Sequence, residues 1–298
     1  MVEIISNDEI KEKYLKAGEI ASSIREDCKK INPGEKLIDI AENIENKIKS
    51  LGAEIAFPVN LSLNEIAAHY TPYNGDSITV EDGDLLKIDI GAHIDGCVAD
   101  TAITLCFNED HKNLVAATDK ALSEAIKICK PGTTIGDLSE VIENSIKEFD
   151  CIPVGNLTGH GLDRFIIHDE PQIPNIKVSS NYELKDNMVI AIEPFATNGK
   201  GLVKDSGSSL IFSFLQRKPV RSPEARKIIA FAEPFKQLPF AERWVPIDSR
   251  IKIRFAIKEL LSRGIIHEYP PLKEVGSGMV AQSEHTIIVK DTPIITTK

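Results

Sequence analysis

The feature that most constrains the fold is an Asp95-Gly96 dipeptide between two apolar runs within residues 85–105. An Asp-Gly pair between apolar runs predicts a β-hairpin with a two-residue turn. Each run also carries one carboxylate, Asp89 or Asp100, at a position where a core residue would be expected.

The predicted turn brings these two carboxylates to one face of the hairpin. It places Gly91 opposite Asp100, and Asp89 points to the same side because side chains alternate along a strand. Their Cβ atoms would be diagonal neighbours about 7–8 Å apart. Two buried carboxylates repel and are costly to desolvate, so this pair favours a divalent metal site. Alternatively, one aspartate ends a strand or faces solvent, and a three-residue loop would break the parity.

Composition limits the class of protein. The 298 residues, 42% hydrophobic and 27% charged, suit one large domain or two ordinary ones. A net charge of −10 argues against wholesale nucleic-acid binding. No apolar run approaches the roughly 20 residues that span a membrane, and residues 1–5 lack a signal-peptide pattern. Five cysteines without a CxxC motif indicate reduced thiols in a cytoplasmic protein.

Periodicity predicts both helices and strands along the chain. Two histidines are expected outside regular elements, His69 in a loop over 60–72 and His160 in a glycine-flanked loop over 155–161. His168 follows eight residues after His160, and alone it resembles a hydrogen-bonded core histidine. Apolar spacing predicts helices over 8–29, 36–51, 110–129, 135–148, 222–231 and 249–263, and strands over 55–58, 203–214 and 279–289.

Residues 185–194 repeat the pattern of residues 82–89. In both, a turn pair is followed by mostly apolar residues and then by a carboxylate at the same offset, Asp89 or Glu193. We interpret this as a diverged internal repeat that supplies a second inward carboxylate.

Residues 215–264 differ from the rest of the chain in charge. They contain twelve Lys or Arg and five Asp or Glu, a net of +7 that leaves −17 elsewhere. This asymmetry predicts an inserted helical subdomain. Its basic surface is either a contact for RNA or another anionic partner, or simply a solvated face.

Five residues on predicted strands or loops form a candidate metal set. Four carboxylates and one imidazole suit two divalent ions such as Mn, Fe or Co. The candidates are Asp89, Asp100, His160, Glu193 and Glu284.

The chain resembles the type II methionine aminopeptidases, in particular archaeal ones, of the creatinase or pita-bread metallopeptidase family. The resemblance runs from about residue 5 to the C-terminus. Its most specific motifs are Ala67-Ala-His-Tyr-Thr-Pro72, Lys87-Ile-Asp-Ile-Gly-Ala92, Asn156-Leu-Thr-Gly-His-Gly161, Ala191-Ile-Glu-Pro194 and Gln282-Ser-Glu-His285.

Two features resemble type II rather than type I enzymes: the basic insertion before Glu284 and the eight-residue step from His160 to His168. The resemblance implies an α+β pita-bread fold with pseudo-two-fold halves. We expect residues 1–214 and 265–298 to form the catalytic domain and residues 215–264 a winged-helix-like subdomain.

The resemblance also implies roles for the site residues. Asp100 and Glu284 would bridge two metal ions. Asp89 would complete the shell of one ion, and His160 with Glu193 that of the other. Glu193 would also act as general base, while His69 and His168 would hydrogen-bond the scissile peptide. Phe57 and Ile167 would line the methionine pocket.

The implied function is removal of the N-terminal methionine from nascent chains with a small second residue, by a cytoplasmic monomer with a possible ribosome contact. No membrane or specific nucleic-acid partner is expected. Two alternatives remain, a proline-specific peptidase of the same fold and a non-catalytic protein that binds RNA or ribosomes. Fewer than 90 residues precede Asp89, whereas proline-specific relatives usually carry a large additional N-terminal domain, and known binding relatives lose metal ligands.

Overall fold

The computed structural model describes residues 7–298. Its strands are β1 (Glu54–Leu63), β2 (Ile66–Ala68), β3 (Leu85–Ile94), β4 (Cys97–Cys106), β5 (Ile152–Pro153), β6 (Thr158–Asp163), β7 (Ile166–Pro174), β8 (Val189–Ile192), β9 (Phe195–Thr197), β10 (Val203–Asp205), β11 (Ile211–Phe214), β12 (Pro239–Ala241), β13 (Ile266–Tyr269), β14 (Leu272–Glu274), β15 (Val280–Gln282), β16 (Glu284–Ile288) and β17 (Ile294–Ile295).

An eight-stranded antiparallel sheet forms the centre of the molecule. Its strand order is β1-β3-β4-β16-β8-β6-β7, and β17 pairs with β16. Three smaller sheets, each of three strands, have the orders β10-β14-β2, β12-β11-β13 and β15-β9-β5. The α+β pita-bread prediction is confirmed.

The helices cover the sheet in two pairs. Asn7 caps the first helix by accepting the N–H of Ile10, and Thr134 and Asp137 form a reciprocal capping box at the fourth. The first two helices share an apolar core with β1, β3 and β4, and the next two share one with β8 and β16. The helices are α1 (Asp8–Cys28), α2 (Leu37–Ser50), α3 (Lys112–Ile128), α4 (Ile135–Lys147), α5 (Pro223–Ala232) and α6 (Arg250–Ser262).

The predicted hairpin is confirmed as β3 and β4. Asp95 and Gly96 both have positive φ angles, 51° and 85°, as a two-residue turn of type I′ requires. Gly91 pairs with Asp100, so Asp89 and Asp100 face the same side of the sheet.

The internal repeat is visible in matching turns. Gly83 and Asn187, which occupy equivalent positions, have positive φ angles of 98° and 67°. The N–H of Gly83 donates to the carbonyl of Phe107 at 3.2 Å, and the N–H of Asn187 donates to that of Val289 at 2.9 Å. Strands β3 and β8 therefore enter the sheet through the same turn geometry, in agreement with pseudo-two-fold halves.

The expectation that the strand over 55–58 ends at its proline was wrong. Strand β1 continues through Pro58, because its pairing with β3 shifts register between Phe57 and Asn60. At such an irregularity a proline does not disrupt the hydrogen-bonded ladder. Part of the expected loop over 60–72 is therefore strand, and His69 directly follows β2.

His160 also lies on a strand, β6, and not in the expected loop. A Cβ at Gly159 would lie 2.5 Å from the carbonyl oxygen of Ala191. The glycine therefore permits β6 to approach β8 closely, rather than freeing the chain to form a loop.

Two predicted strands are each interrupted. The segment over 203–214 forms β10 and β11, and between them Gly207 turns the chain with a φ angle of 76°. The segment over 279–289 forms β15 and β16. They separate at Ser283, whose hydroxyl donates to Asp119 at 2.6 Å.

The basic segment folds as a unit that we call the inserted unit, comprising α5, α6 and the sheet β12-β11-β13. Its core includes Phe212, Phe240 and Leu260. Because β11 and β13 lie on either side of residues 215–264, the unit recruits strands beyond that segment. The boundary at residues 215–264 stays a prediction.

All five cysteines are free thiols. Among the helices of residues 7–298, none combines the length and apolarity needed to cross a bilayer. Residues 1–5, where no signal peptide is expected, lie outside the described residues.

The packing of helix α1 against the chain at Thr296 can be tested by substitution. A Cβ at Gly18 would lie 2.1 Å from the backbone oxygen of Thr296. Gly18→Ala should therefore lower the free energy of unfolding by about 1–3 kcal/mol, although alanine normally favours a helix by about 1 kcal/mol. Urea denaturation measures this. Ser23→Ala, at an exposed position of α1, should change stability by less than about 0.5 kcal/mol. A Gly18→Ala protein as stable as wild type would contradict the packing.

Candidate metal and peptidase site

The candidate site lies in a cavity of about 500 Å³ on the central sheet. The five candidate metal ligands come from strands, or from the end of a strand, that are consecutive in the sheet order β3-β4-β16-β8-β6. Curling of this sheet brings the residues together. From these strands in turn come Asp89, Asp100, Glu284, Glu193 (directly after β8) and His160.

The five side chains approach one another closely. Ligand atoms of Asp100, His160 and Glu284 all lie within 4.8 Å of one another. The Nε2 atom of His160 lies 3.5 Å from Oε1 of Glu193 and 3.9 Å from Oδ2 of Asp100. Asp89 connects to this group through Gln282, whose Nε2 atom donates to Asp89 at 3.4 Å and to Glu193 at 3.2 Å.

Burial and mutual repulsion shift the pKa values of the site. Burial raises the pKa of Asp89 to about 6, although the hydrogen bond from Gln282 acts the other way. Burial, followed by repulsion from neighbouring carboxylates, raises the pKa values of Asp100, Glu193 and Glu284 well above their usual range. These groups therefore resist becoming anionic together.

A divalent cation fits this donor set. Within residues 7–298, Oδ1 of Asp89, Oδ1 of Asp100 and Oε2 of Glu284 are buried without a hydrogen-bond partner. Buried polar atoms are normally satisfied, so three orphaned carboxylate oxygens facing one cavity require an explanation. Burial lowers the pKa of His160 to about 4, which keeps its imidazole neutral and able to ligate.

Two further histidines line the same cavity. His69 has a φ angle of 64°, unusual for a residue other than glycine, and its Nδ1 atom is buried with no partner among the described residues. Burial lowers its pKa to about 4. The ring of His168 lies 4.8 Å from that of His160. Both His69 and His168 therefore lie in the same cavity as the carboxylates, and the peptide-binding role that the resemblance implies for them stays a prediction.

The apolar part of the cavity includes Phe57 and Ile167, the residues predicted to line a methionine pocket. Both belong to a buried cluster that also contains Leu162. A Cβ at Gly91 would lie 2.2 Å from the Phe57 ring, so that glycine leaves space for the ring.

Two residues of this site have no role that a sequence pattern predicts. Tyr269 lines the cavity, with its ring 5.8 Å from that of His69 and 6.1 Å from that of His168. It lies just beyond the inserted segment, where no pattern pointed to the cavity. Gln282 belongs to the motif Gln282-Ser-Glu-His285, but its contacts with Asp89 and Glu193 depend on tertiary structure.

His285 faces away from the cavity, as strand alternation predicts. Its Nδ1 atom lies 3.0 Å from Arg25 and 2.9 Å from the hydroxyl of Thr297, on the opposite side of β16 from Glu284. It therefore belongs to the packing behind the site.

A comparison with protein families identifies the chain. The model of metallopeptidase family M24 matches residues 12–291. The chain belongs to metallopeptidase family M24. The predicted requirement for divalent metal agrees with membership of this family.

Relatives of this M24 chain include archaeal proteins along nearly the full length. It is 43% identical over 290 residues to a methionine aminopeptidase of Methanocaldococcus jannaschii, covering 96% of this chain and 98% of that protein. The predicted resemblance to archaeal methionine aminopeptidases is confirmed.

Solved structures share the fold. The methionine aminopeptidase of Thermotoga maritima superposes with a TM-score of 0.73 at 24% identity, with all of both chains covered. A thermophilic Arx1 gives a TM-score of 0.85 at 19% identity, covering 97% of this chain and 91% of that one. At these identities the likeness concerns the fold alone.

The pKa of Asp89 leads to a test on chelator-treated protein. Because its folded-state pKa of about 6 exceeds the roughly 4 of an unfolded aspartate, the folded state binds more protons. This contribution to stability is fully present below pH 4 and is lost as pH rises through 6. Wild type should therefore lose stability relative to Asp89→Asn between pH 4 and 7, by the order of 2 kcal/mol.

Denaturant unfolding of both proteins across this pH range measures the difference in their free energies of unfolding. The histidines are common to both proteins, so their titration cancels from this difference. The same series with Mn²⁺ present serves as the control, because a bound cation should remove most of the effect. Wild type that gains stability relative to Asp89→Asn as pH rises would contradict the assigned environment.

Proposed function

We propose that this M24 peptidase removes the N-terminal methionine from nascent proteins and peptides, with a preference for a small second residue. The observation that carries the proposal is 43% identity along 96% of the chain to a methionine aminopeptidase. The converging carboxylates and histidines support hydrolysis as the reaction.

In the proposed site, Asp89, Asp100, His160, Glu193 and Glu284 would hold two divalent ions. Asp100 and Glu284 would serve both ions, Asp89 one of them, and His160 with Glu193 the other. Orphaned oxygens on Asp89, Asp100 and Glu284 support this assignment. The chemistry that two bound divalent cations supply is polarisation of the scissile carbonyl and a lowered pKa for water. Co, Mn and Fe all suit the donor set.

Glu193 is the proposed general base. Its carboxylate lies at the cavity wall, 3.5 Å from His160, and Gln282 donates to its other oxygen at 3.2 Å. It would accept a proton from the attacking water and pass it to the leaving amine. A base held by two neighbours stays oriented during both transfers.

His69 and His168 are proposed to hydrogen-bond the scissile peptide and to stabilise the tetrahedral intermediate. Burial lowers the pKa values of both, so each ring is neutral at neutral pH. The His69 ring also hydrogen-bonds the Pro270 backbone, which leaves its Nδ1 atom for the peptide. Neutral donors aimed at a developing oxyanion stabilise it without adding a permanent charge to the cavity.

Phe57 and Ile167 are the proposed walls of the methionine pocket. Their exposed fractions of 6% and 7% and their packing against Leu162 support a preformed apolar wall. A thioether side chain fits such a surface because it is apolar, flexible and polarizable.

The proposal extends to partners and location. The substrates are nascent chains that begin with methionine, and the enzyme is a cytoplasmic monomer without membrane or specific nucleic-acid partners. The excess of basic residues in the inserted unit supports a contact with the anionic ribosome.

Peptide hydrolysis tests the function. Protein stripped of metal with a chelator and then supplied in turn with Co²⁺, Mn²⁺ or Fe²⁺ should release methionine from Met-Ala-Ser. Release from Met-Lys-Ser should be slower, and Ala-Pro-Ser should not be cleaved. His168→Asn should lower kcat by about 100-fold, the cost of losing one oxyanion donor. His111→Asn, outside the cavity, is the matched control and should retain wild-type rates.

Preference for the proline peptide, or no turnover with any ion, would contradict the proposal. Equal rates for Met-Ala-Ser and Met-Lys-Ser would contradict the preference for a small second residue alone.

A further inference from the structure

The chain that carries His69 is held by the inserted unit. We call residues 69–74 the His69 segment. It begins at the left-handed backbone of His69, whose φ angle is 64°. Such a conformation is costly for a residue with a Cβ, and it persists where the surroundings determine it. The neighbours of this segment therefore matter for the site.

Arg243, in the inserted unit, makes three hydrogen bonds with the His69 segment. Its Nη1 atom donates to the hydroxyl of Thr71 at 2.6 Å and to the carbonyl of Pro72 at 3.0 Å. The Arg243 carbonyl in turn accepts the side-chain N–H of Asn74 at 3.3 Å. Contacts at three residues of one short segment fix both its position and its direction.

The guanidinium of Arg243 is itself immobilised. Its side chain is 2% exposed, and its second terminal nitrogen is hydrogen-bonded to Glu45 of α2, which is 7% exposed. The indole N–H of Trp244 donates to the other oxygen of Glu45 at 2.9 Å. The backbone N–H of Val59 also donates to Glu45, at 3.3 Å. A buried guanidinium with a paired carboxylate is a rigid anchor, because moving either partner would leave a charge unsatisfied.

Two further contacts link the inserted unit to the same segment. The Arg250 guanidinium lies 3.7 Å from the centre of the Tyr73 ring. Tyr269, on β13, places its ring edge-on to His69 at 5.8 Å. Four residues of the segment are thus in contact with the inserted unit or its sheet, in addition to His69 itself.

We propose that Arg243 is a positioning residue for His69, and that the inserted unit thereby forms part of the catalytic apparatus. Arg243 holds Thr71 and Pro72, and Tyr70, the single residue between Thr71 and His69, transmits that position to the imidazole. The proposal rests on the proposed function of His69. It differs from a purely stabilising role for Arg243 because it requires the effect to pass through His69.

Two variants test the role. Arg243→Met removes the donors and the charge while keeping much of the side-chain length. Thr71→Val removes only the hydroxyl that accepts from Arg243 and donates to the Val59 carbonyl, so it tests the link if the first variant folds poorly. Each should lower kcat on Met-Ala-Ser by about 10- to 100-fold, the cost of a displaced catalytic group. KM and metal content should change less than twofold.

Arg254→Met is the matched control. Arg254 pairs with the buried Glu242 at 2.6 Å and donates to the Ser209 carbonyl, without an interaction with the His69 segment among the described residues. It should lower the melting temperature but leave kcat within twofold of wild type. Arg243→Lys, which keeps the charge but not the fork of donors, should recover part of the lost activity.

A double-mutant comparison decides whether the effect passes through His69. In a His69→Ala background, Arg243→Met should cost less than twofold in kcat, because the group it positions is absent. The same 10- to 100-fold loss in both backgrounds, or a wild-type kcat for both Arg243→Met and Thr71→Val, would overturn the proposal.

Histidine NMR separates this proposal from the proposed function. In protein with ¹⁵N-labelled histidine, the His69 resonance is identified by its loss in His69→Ala. Arg243→Met should shift that resonance and Arg254→Met should not, whether or not any peptide is cleaved. An unshifted His69 resonance in Arg243→Met would refute the positioning role even in an active enzyme. An inactive wild type with a shifted resonance in that variant would refute the function alone.

Discussion

The candidate site is built from four carboxylates and one imidazole that converge in one cavity, and the rest of the structure must hold them there. Burial raises the pKa values of all four acids, and repulsion from neighbouring carboxylates raises those of Asp100, Glu193 and Glu284 further. Three of their buried oxygens lack a partner within the described part of the chain. A protein interior does not tolerate such a group unless it is neutralised by protons or cations. The fold therefore pre-organises a group of acids that either bound protons or a divalent cation would stabilise.

The sheet produces this convergence through its strand order. Five strands that are neighbours in the sheet, or their ends, supply the five candidate metal ligands. The repeated turns at Gly83 and Asn187 set equivalent starts for β3 and β8. Helices α1 and α2 pack against one half of the sheet, and α3 and α4 pack against the other. The inserted unit adds a buried contact through Arg243 and Glu45, which connects it to α2 and to the chain near His69.

Part of the site follows from local rules. The Asp95-Gly96 turn and strand alternation were sufficient to place Asp89 and Asp100 on one face, because hairpin parity is a local property. His160 and His168 needed the family resemblance, since single histidines have no periodic pattern. The continuation of β1 through Pro58 and the contacts of Gln282 and Arg243 were not predictable. They depend on register shifts and side chains separated by long stretches of sequence.

The central proposal is that two divalent ions bind at the candidate ligands Asp89, Asp100, His160, Glu193 and Glu284. Asp89 is proposed to serve one of these ions. The most direct test is titration of metal-depleted protein with Mn²⁺, monitored by calorimetry and by metal analysis after gel filtration. The account predicts two ions per chain for wild type and loss of one in Asp89→Asn. The same metal content in wild type and Asp89→Asn would contradict it.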